Sequence, residues 1–118
     1  MSGERNGGEG PETGAILRIE ALVASAIAIR PEAMRAPRRG VARAAFARQV
    51  AIYLNQTRLG LSYTDAASCF GRDRTTAAHA CRTVEDRRED PRIDALVEVL
   101  ERAIAAWAET GSCKRIAP

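Results

Sequence analysis

Apolar residues recur at spacings of three and four along most of this chain, which is the pattern of amphipathic helices. No stretch shows the alternation that is typical of strands, so the predicted fold class is all-α, with about five to six helices. The predicted helical segments are Ala15 to about Ile29, the short turn Pro31–Arg35, Val41 to Arg58, Tyr63 to Cys69, Arg74 to about Arg88, and Pro91 to Thr110.

Local signals mark the helix ends. Gly60 follows the third helix as a C-cap glycine, and Ser62 is placed to cap the fourth, with Asp65 three residues on as in a capping box. Asp73 is a good N-cap for the fifth helix, and Asp90 followed by Pro91 starts the last.

Core faces follow from the same periodicity. The predicted stripes are Ile16, Ile19, Val23 and Ile27 on the first helix, and Phe46, Val50, Tyr53 and Leu54 on the third. Ile52 falls outside the second stripe, which indicates a third helix packed on two sides. Arg48, Gln49 and Asn55 are expected to face outward.

The last helix carries the strongest apolar stripe of the sequence: Ile93, Leu96, Val97, Leu100, Ile104 and Trp107. Such a stripe most often closes the core of its own domain. A surface for a protein partner is the alternative.

The fifth helix has a small-residue inner face of Ala77, Ala80, Cys81 and Val84, with Thr75, His79 and Arg82 on the opposite side. Arg74 and Thr76 flank its first turn. Together with the short fourth helix and the turn at Gly71, it has the shape of a helix-turn-helix, which suits docking into a DNA major groove.

We expect one domain over residues 14–110, with disordered tails at 1–13 and 111–118. Between Arg30 and Arg88 stand 12 arginines and five acidic residues, a local net charge of +7, whereas the remainder carries −4. A basic middle indicates a polyanionic partner such as nucleic acid. A solvated basic face is the alternative.

Other classes of function have little support. Cys69, Cys81 and Cys113 are scattered and form no CxxC, so we predict no metal and no cofactor. No nucleophile–base pair or paired carboxylates appear, so we predict that the protein is not an enzyme. No apolar run approaches the ~18 residues that a membrane span requires, and we expect a protein of the cytoplasm and nucleoid.

Two segments carry a resemblance to a known family: Ala47-Arg48-Gln49-Val50-Ala51-Ile52-Tyr53-Leu54, and the stretch from Phe70 to Arg82, Phe-Gly-Arg-Asp-Arg-Thr-Thr-Ala-Ala-His-Ala-Cys-Arg. Over roughly Ala15 to Asp90 the chain resembles the C-terminal DNA-binding domain, domain IV, of the bacterial replication initiator DnaA. The resemblance implies a helix-turn-helix fold of the DnaA domain IV or Trp-repressor-like type, binding double-stranded DnaA boxes.

The resemblance also implies a set of DNA-binding residues. Asp73, Arg74, Thr75 and Thr76 match positions that meet bases and nearby phosphates. Arg48 and Gln49 match backbone contacts, and Tyr63 and Thr64 begin the supporting helix. Arg39 is the nearest candidate for a minor-groove arginine, and Arg72 belongs to the recognition motif. The candidate site is therefore Arg39, Arg48, Gln49, Tyr63, Thr64, Arg72, Asp73, Arg74, Thr75 and Thr76.

This sequence departs from the family pattern. Many members have two glycines after the phenylalanine, where only Gly71 stands here, and the family histidine is replaced by Arg74. Thr83 replaces a lysine, and Ala77-Ala78 a larger apolar pair. No GxxxxGK[ST] motif of an ATPase occurs. The Arg74 replacement predicts a target altered from the standard DnaA box, toward a guanine opposite this arginine.

Single side chains retain two interpretations. Asp73 either caps the helix or accepts from a cytosine amino group, and Arg74 either donates to guanine or meets a phosphate. For His79 we expect a hydrogen bond to a neighbouring helix or to a phosphate, and for Cys81 the role of a small hydrophobe.

The predicted function is sequence-specific binding of double-stranded DNA at DnaA-box-like sites, regulating replication initiation or transcription without an ATPase of its own. The alternative is a protein-interaction regulator whose last helix binds the full-length DnaA initiator or another partner.

Overall fold

The computed structural model describes residues 11–35 and 42–109, and these residues form six α-helices without a strand, as the all-α prediction requires. The helices are α1 (Pro11–Ile27), α2 (Pro31–Met34), α3 (Ala42–Arg58), α4 (Tyr63–Ser68), α5 (Arg74–Arg87) and α6 (Pro91–Glu109). Residues 1–10 of the predicted N-terminal tail at 1–13, and the whole predicted tail at 111–118, lie outside the described residues. None of the helices in these ranges combines the length and hydropathy of a membrane-spanning segment.

The first helix differs from its prediction at both ends. It starts at Pro11, so the backbone of residues 11–13 is helical; proline is tolerated in a first turn because the N–H it lacks would have no intrahelical partner. It ends at Ile27 because Ala28 takes a left-handed conformation with φ of 65°. The Ile29 N–H then donates to the Ala24 carbonyl over 2.9 Å and closes the helix.

The central element is α3, which packs against all five other helices and makes its most extensive contacts with α1 and α5. Val50, Ile52 and Leu54 are all fully buried, although Ile52 lies on the side of the helix opposite to Val50 and Leu54. This confirms that α3 is packed on two sides. Hydrophobic burial around α3 is therefore what brings α4 and α5 into a fixed position.

The prediction that Asn55 faces outward is wrong, because only 1% of its surface is exposed. Its Nδ2 donates to the Ala66 carbonyl over 3.3 Å. Ala66 lies in the last turn of α4, where carbonyl groups have no intrahelical donor. The buried amide of Asn55 supplies one, and it thereby joins α3 to the helix that precedes the recognition turn.

The last helix closes the core. Val97, Leu100 and Ile104 are buried, and Ile93, Leu96 and Trp107 pack against the same cluster. Trp107 also lies under the Arg18 guanidinium of α1, with 4.8 Å between the guanidinium carbon and the ring centroid. The structure thus confirms the core interpretation of this stripe.

An ion pair between a buried carboxylate and an exposed arginine joins α1 to the end of α2. Glu20 is 3% exposed, and its Oε1 lies 2.8 Å from the Arg35 guanidinium. Burial raises the pKa of the Glu20 carboxyl, against the opposing attraction of Arg35. The same arginine lies over the Phe70 ring at 5.8 Å, so α1 and α2 both help to hold the turn before α5.

Candidate DNA-binding site

The turn between α4 and α5 is held against the core by the buried side chain of Phe70. Ser62 caps α4 by accepting from the Asp65 N–H over 3.0 Å, as predicted. Phe70 is 6% exposed and belongs to the core, and Gly71 turns the chain with φ of 70°. The Arg72 N–H then donates to the Ala67 carbonyl over 3.1 Å. One glycine with positive φ is therefore sufficient to reverse the chain here.

The faces of α5 agree with the periodicity. Its buried residues are Ala77, Ala80, Cys81 and Val84, and its exposed polar residues include Arg74, Thr75, His79 and Arg82. Alanines on the inner face let the helix lie close to α3. The opposite face carries two arginines into solvent, which suits an anionic partner.

Asp73 confirms its role as the N-cap of α5. Its Oδ1 accepts from the Thr76 N–H over 2.9 Å. This hydrogen bond, followed by one from the Thr76 hydroxyl, lowers the pKa of the Asp73 carboxyl. Thr76 is half-buried and its hydroxyl turns back toward the cap.

Arg74 and Thr75 are the residues of this first turn that project outward. Both are exposed, and no ion pair or hydrogen bond of the Arg74 side chain is found within residues 11–35 and 42–109. A guanidinium at the start of a helix, with its five donors available, can reach a base edge or a phosphate when the helix end enters a groove.

Arg48 and Arg72 place two positive charges close to this turn. The prediction that Arg48 faces outward is wrong. Its side chain is half-buried, and its Nη1 donates to the Met34 carbonyl over 3.0 Å. Burial, and then the charge of Arg72, lowers the pKa of Arg48. Two like charges held near each other favour an anion between or beside them.

The family described as the bacterial dnaA protein helix-turn-helix matches residues 16–84, which is more than half of the chain. The protein belongs to this family of DNA-binding helix-turn-helix domains. A comparison with curated proteins gave no match. The family match reaches from α1 into the last turn of α5, and α6 lies beyond it.

The remaining DnaA-type candidates lie in three different settings. Gln49 is half-buried, and Tyr63 is half-buried because its ring packs against the core, whereas Thr64 is exposed. Arg39 lies outside the described residues. Tyr63 therefore contributes to the packing of α4 against the core, and its part in binding DNA stays a prediction.

His79 does not reach a neighbouring helix, which corrects one of its two expected roles. It is exposed on α5, and its Nε2 lies 3.5 Å from the Thr83 hydroxyl one turn along the same helix. The phosphate role stays a prediction. Within the described residues no three His, Cys, Asp or Glu side chains are grouped as metal ligands.

Sequence reasoning missed one feature of this DnaA-type domain, the ion-pair network at the far end of α5. It centres on Arg88, which contacts Tyr53, Asp94 and Glu101. Arg88 is one of 17 arginines, and no local motif distinguishes it from those at the surface.

Replacing Arg48 with alanine is expected to weaken binding to all duplexes alike and to reduce the slope of log K against log salt by about 0.9, the value for one phosphate contact. Fluorescence anisotropy over a salt series measures both quantities. Gln49→Ala is the matched control, since an uncharged neighbour should leave the slope unchanged. A slope that stays the same in Arg48→Ala would refute the phosphate contact.

Proposed function

We propose that this protein binds double-stranded DNA in a sequence-specific manner at DnaA-box-like sites, with α5 entering the major groove. The observation that carries the proposal is the exposed first turn of α5, where Arg74 and Thr75 project from a helix-turn-helix that matches the DnaA family. In this arrangement Arg74 donates to O6 and N7 of a guanine, and Thr75 meets a phosphate or a thymine methyl group.

The charges around the turn support the same orientation. Arg48 and Arg72 lie near each other beside the start of α5, and both are half-buried, so their positions are defined by the fold. Contacts of this kind with phosphates set the register of the domain on DNA and carry no sequence information. Specificity then depends on the residues of the first turn.

Asp73 serves two purposes in this proposal. One carboxylate oxygen holds the Thr76 N–H and fixes the first turn of α5. The other oxygen accepts from a cytosine amino group beside the Arg74 contact.

Binding at such sites regulates replication initiation or transcription, by occupying the sites of the initiator or by assisting it there. The printed sequence contains no GxxxxGK[ST] motif, and the proposal assigns the protein no ATP-dependent step. The alternative, a partner surface on the apolar stripe of α6, has lost its main support because that stripe packs in the core.

The test is fluorescence anisotropy with three kinds of labelled duplex: the standard DnaA box, a series in which guanine replaces each position of the box in turn, and a scrambled sequence of equal composition. We expect one box-derived duplex to bind ~10³-fold more tightly than the scrambled one, which is the lower end of the range for specific over non-specific binding. Equal affinity for all duplexes across a salt series would contradict sequence-specific recognition.

A further inference from the structure

Arg88 lies directly after α5 and joins three helices. Its side chain is 18% exposed. The Nε donates to Asp94 over 2.6 Å, and Nη1 donates to Glu101 over 3.0 Å and to the Tyr53 hydroxyl over 3.0 Å. Nη2 adds a longer contact of 3.4 Å to Glu101. All three nitrogens of the guanidinium therefore have an acceptor.

The partners of Arg88 are themselves held in place. Tyr53 of α3 is 4% exposed, and its hydroxyl donates to Glu85 of α5 over 2.9 Å while accepting from Arg88. Glu101 of α6 also lies 3.4 Å from Arg58, the last residue of α3. The C-terminal ends of α3 and α5 thus meet at one carboxylate of α6, with arginines at the negative ends of both helix dipoles.

The apolar contact between α5 and α3 is extensive, but on the α5 side it is made by small side chains. Its buried face consists of Ala77, Ala80, Cys81 and Val84, and small side chains form shallow ridges that resist sliding and rotation less than interlocking large ones. Directional hydrogen bonds from a planar guanidinium add the geometric restriction that such a face lacks.

We propose that Arg88 is a positioning residue for DNA recognition, which sets the angle of α5 against α3 and α6 so that the first turn of α5 and Arg48 of α3 meet the same stretch of DNA. This rests on the proposed DNA-binding function. From its 14 residues, α5 is about 20 Å long. A rotation of about 5° at its end would therefore move the first turn by nearly 2 Å. Such a shift exceeds the tolerance of a hydrogen bond to a base edge.

The test compares the full-length wild type with Arg88→Met. Residual dipolar couplings measure the angle between α3 and α5 in the free protein, and anisotropy measures affinity for the preferred and the scrambled duplex. We expect a changed angle, a loss of about 10-fold or more in affinity for the preferred duplex, and unchanged affinity for the scrambled one. The salt slope should not change, because Arg88 is proposed to act without touching a phosphate.

A paired variant separates positioning from stability. Arg88→Met alone leaves the little-exposed Glu101 carboxylate with Arg58 only, whereas Arg88→Met with Glu101→Met removes both members of the least exposed pair, a replacement that commonly preserves or raises stability. Arg58 and Asp94 then lose a partner, but their side chains are 45% and 42% exposed and remain solvated. We expect the double variant to recover thermal stability and to keep the weak binding to the preferred duplex. Recovery of both would overturn the proposal, since Arg88 would then act on stability alone.

Two further variants complete the design. Arg92→Met removes an equal charge from a side chain that is 91% exposed, and it should change neither the angle nor the affinity ratio. Tyr53→Phe removes only the hydroxyl between α3 and Arg88, and it replaces Arg88→Met as the test variant should that protein fail to fold. The expected result for Tyr53→Phe is a smaller change in the same direction.

The outcomes for the two proposals are distinct. A wild type that binds all duplexes equally overturns the proposed function and, with it, the role of Arg88 in recognition. An unchanged angle, or an unchanged affinity ratio in a wild-type background that does prefer one duplex, overturns the role of Arg88 alone.

Discussion

Arg74→Ala is expected to remove the preference for one base pair from the DNA target while leaving the rest of the target intact. A bidentate arginine–guanine contact discriminates against the wrong base by about 1–3 kcal/mol, which is roughly 5- to 150-fold in affinity. Selection from a randomised duplex library measures this directly. The wild type should return a guanine at one position, and the variant should return all four bases there.

The competing role for Arg74 is a phosphate contact, and the two roles give different results. Loss of a phosphate contact weakens binding to every sequence and reduces the salt slope by about 0.9, with no change in base preference. Arg102→Ala serves as the charge-matched control, because this side chain on α6 is 76% exposed and pairs only with Glu98 among the described residues. It should leave both the preference and the slope unchanged.

A second variant, in which histidine replaces Arg74, tests the same prediction. Arg74→His is expected to move the preferred target toward the standard DnaA box, since histidine is what the family places at this position of the recognition motif. A wild-type selection that returned the unmodified box, with no effect of Arg74→Ala, would show that Arg74 does not read a base.

The helix ends near the site could be predicted from sequence because they depend on neighbouring residues. Ser62 and Asp73 cap helices with hydrogen bonds to backbone groups three residues away. Gly60 and Gly71 have positive φ values of 73° and 70°, which glycine adopts without strain. Such interactions are local, so a short stretch of sequence contains all the information that they require.

Interactions between distant segments could not be predicted in this way. Asn55 is buried where it donates to the Ala66 carbonyl at the end of α4. Arg48 is half-buried where it donates to the Met34 carbonyl. Arg88 meets Tyr53 across 35 positions of sequence. Each of these polar side chains looks like a surface residue until tertiary packing supplies its partner.

The predicted end of the first helix is wrong for a different reason. Ala28 has no sequence signal for a left-handed conformation, which costs alanine about 1–2 kcal/mol relative to the right-handed form. The structure places it there because Ile29 is half-buried and packs against the core, so the chain must turn before it. Packing therefore overrode the local preference for continued helix.

Leu100→Ala is expected to destabilise the protein by about 2–5 kcal/mol, the range for deleting a large buried side chain from a well-packed core. Leu100 is 1% exposed at the centre of the α6 stripe. Urea unfolding, followed through the single tryptophan, Trp107, measures the change, because this residue is half-buried against the core. The expected result is a lower transition midpoint with an unchanged slope against urea.

Val99→Ala supplies the matched control, since Val99 is adjacent on the same helix but 57% exposed. Its effect should stay within about 0.5 kcal/mol, as for surface substitutions that touch no special feature. The two variants separate the competing roles of α6. If the stripe bound a partner instead of closing the core, Leu100→Ala would leave the unfolding midpoint where it is and weaken only the binding of that partner. Equal, small effects of both substitutions on stability would therefore contradict the packing of α6 described above.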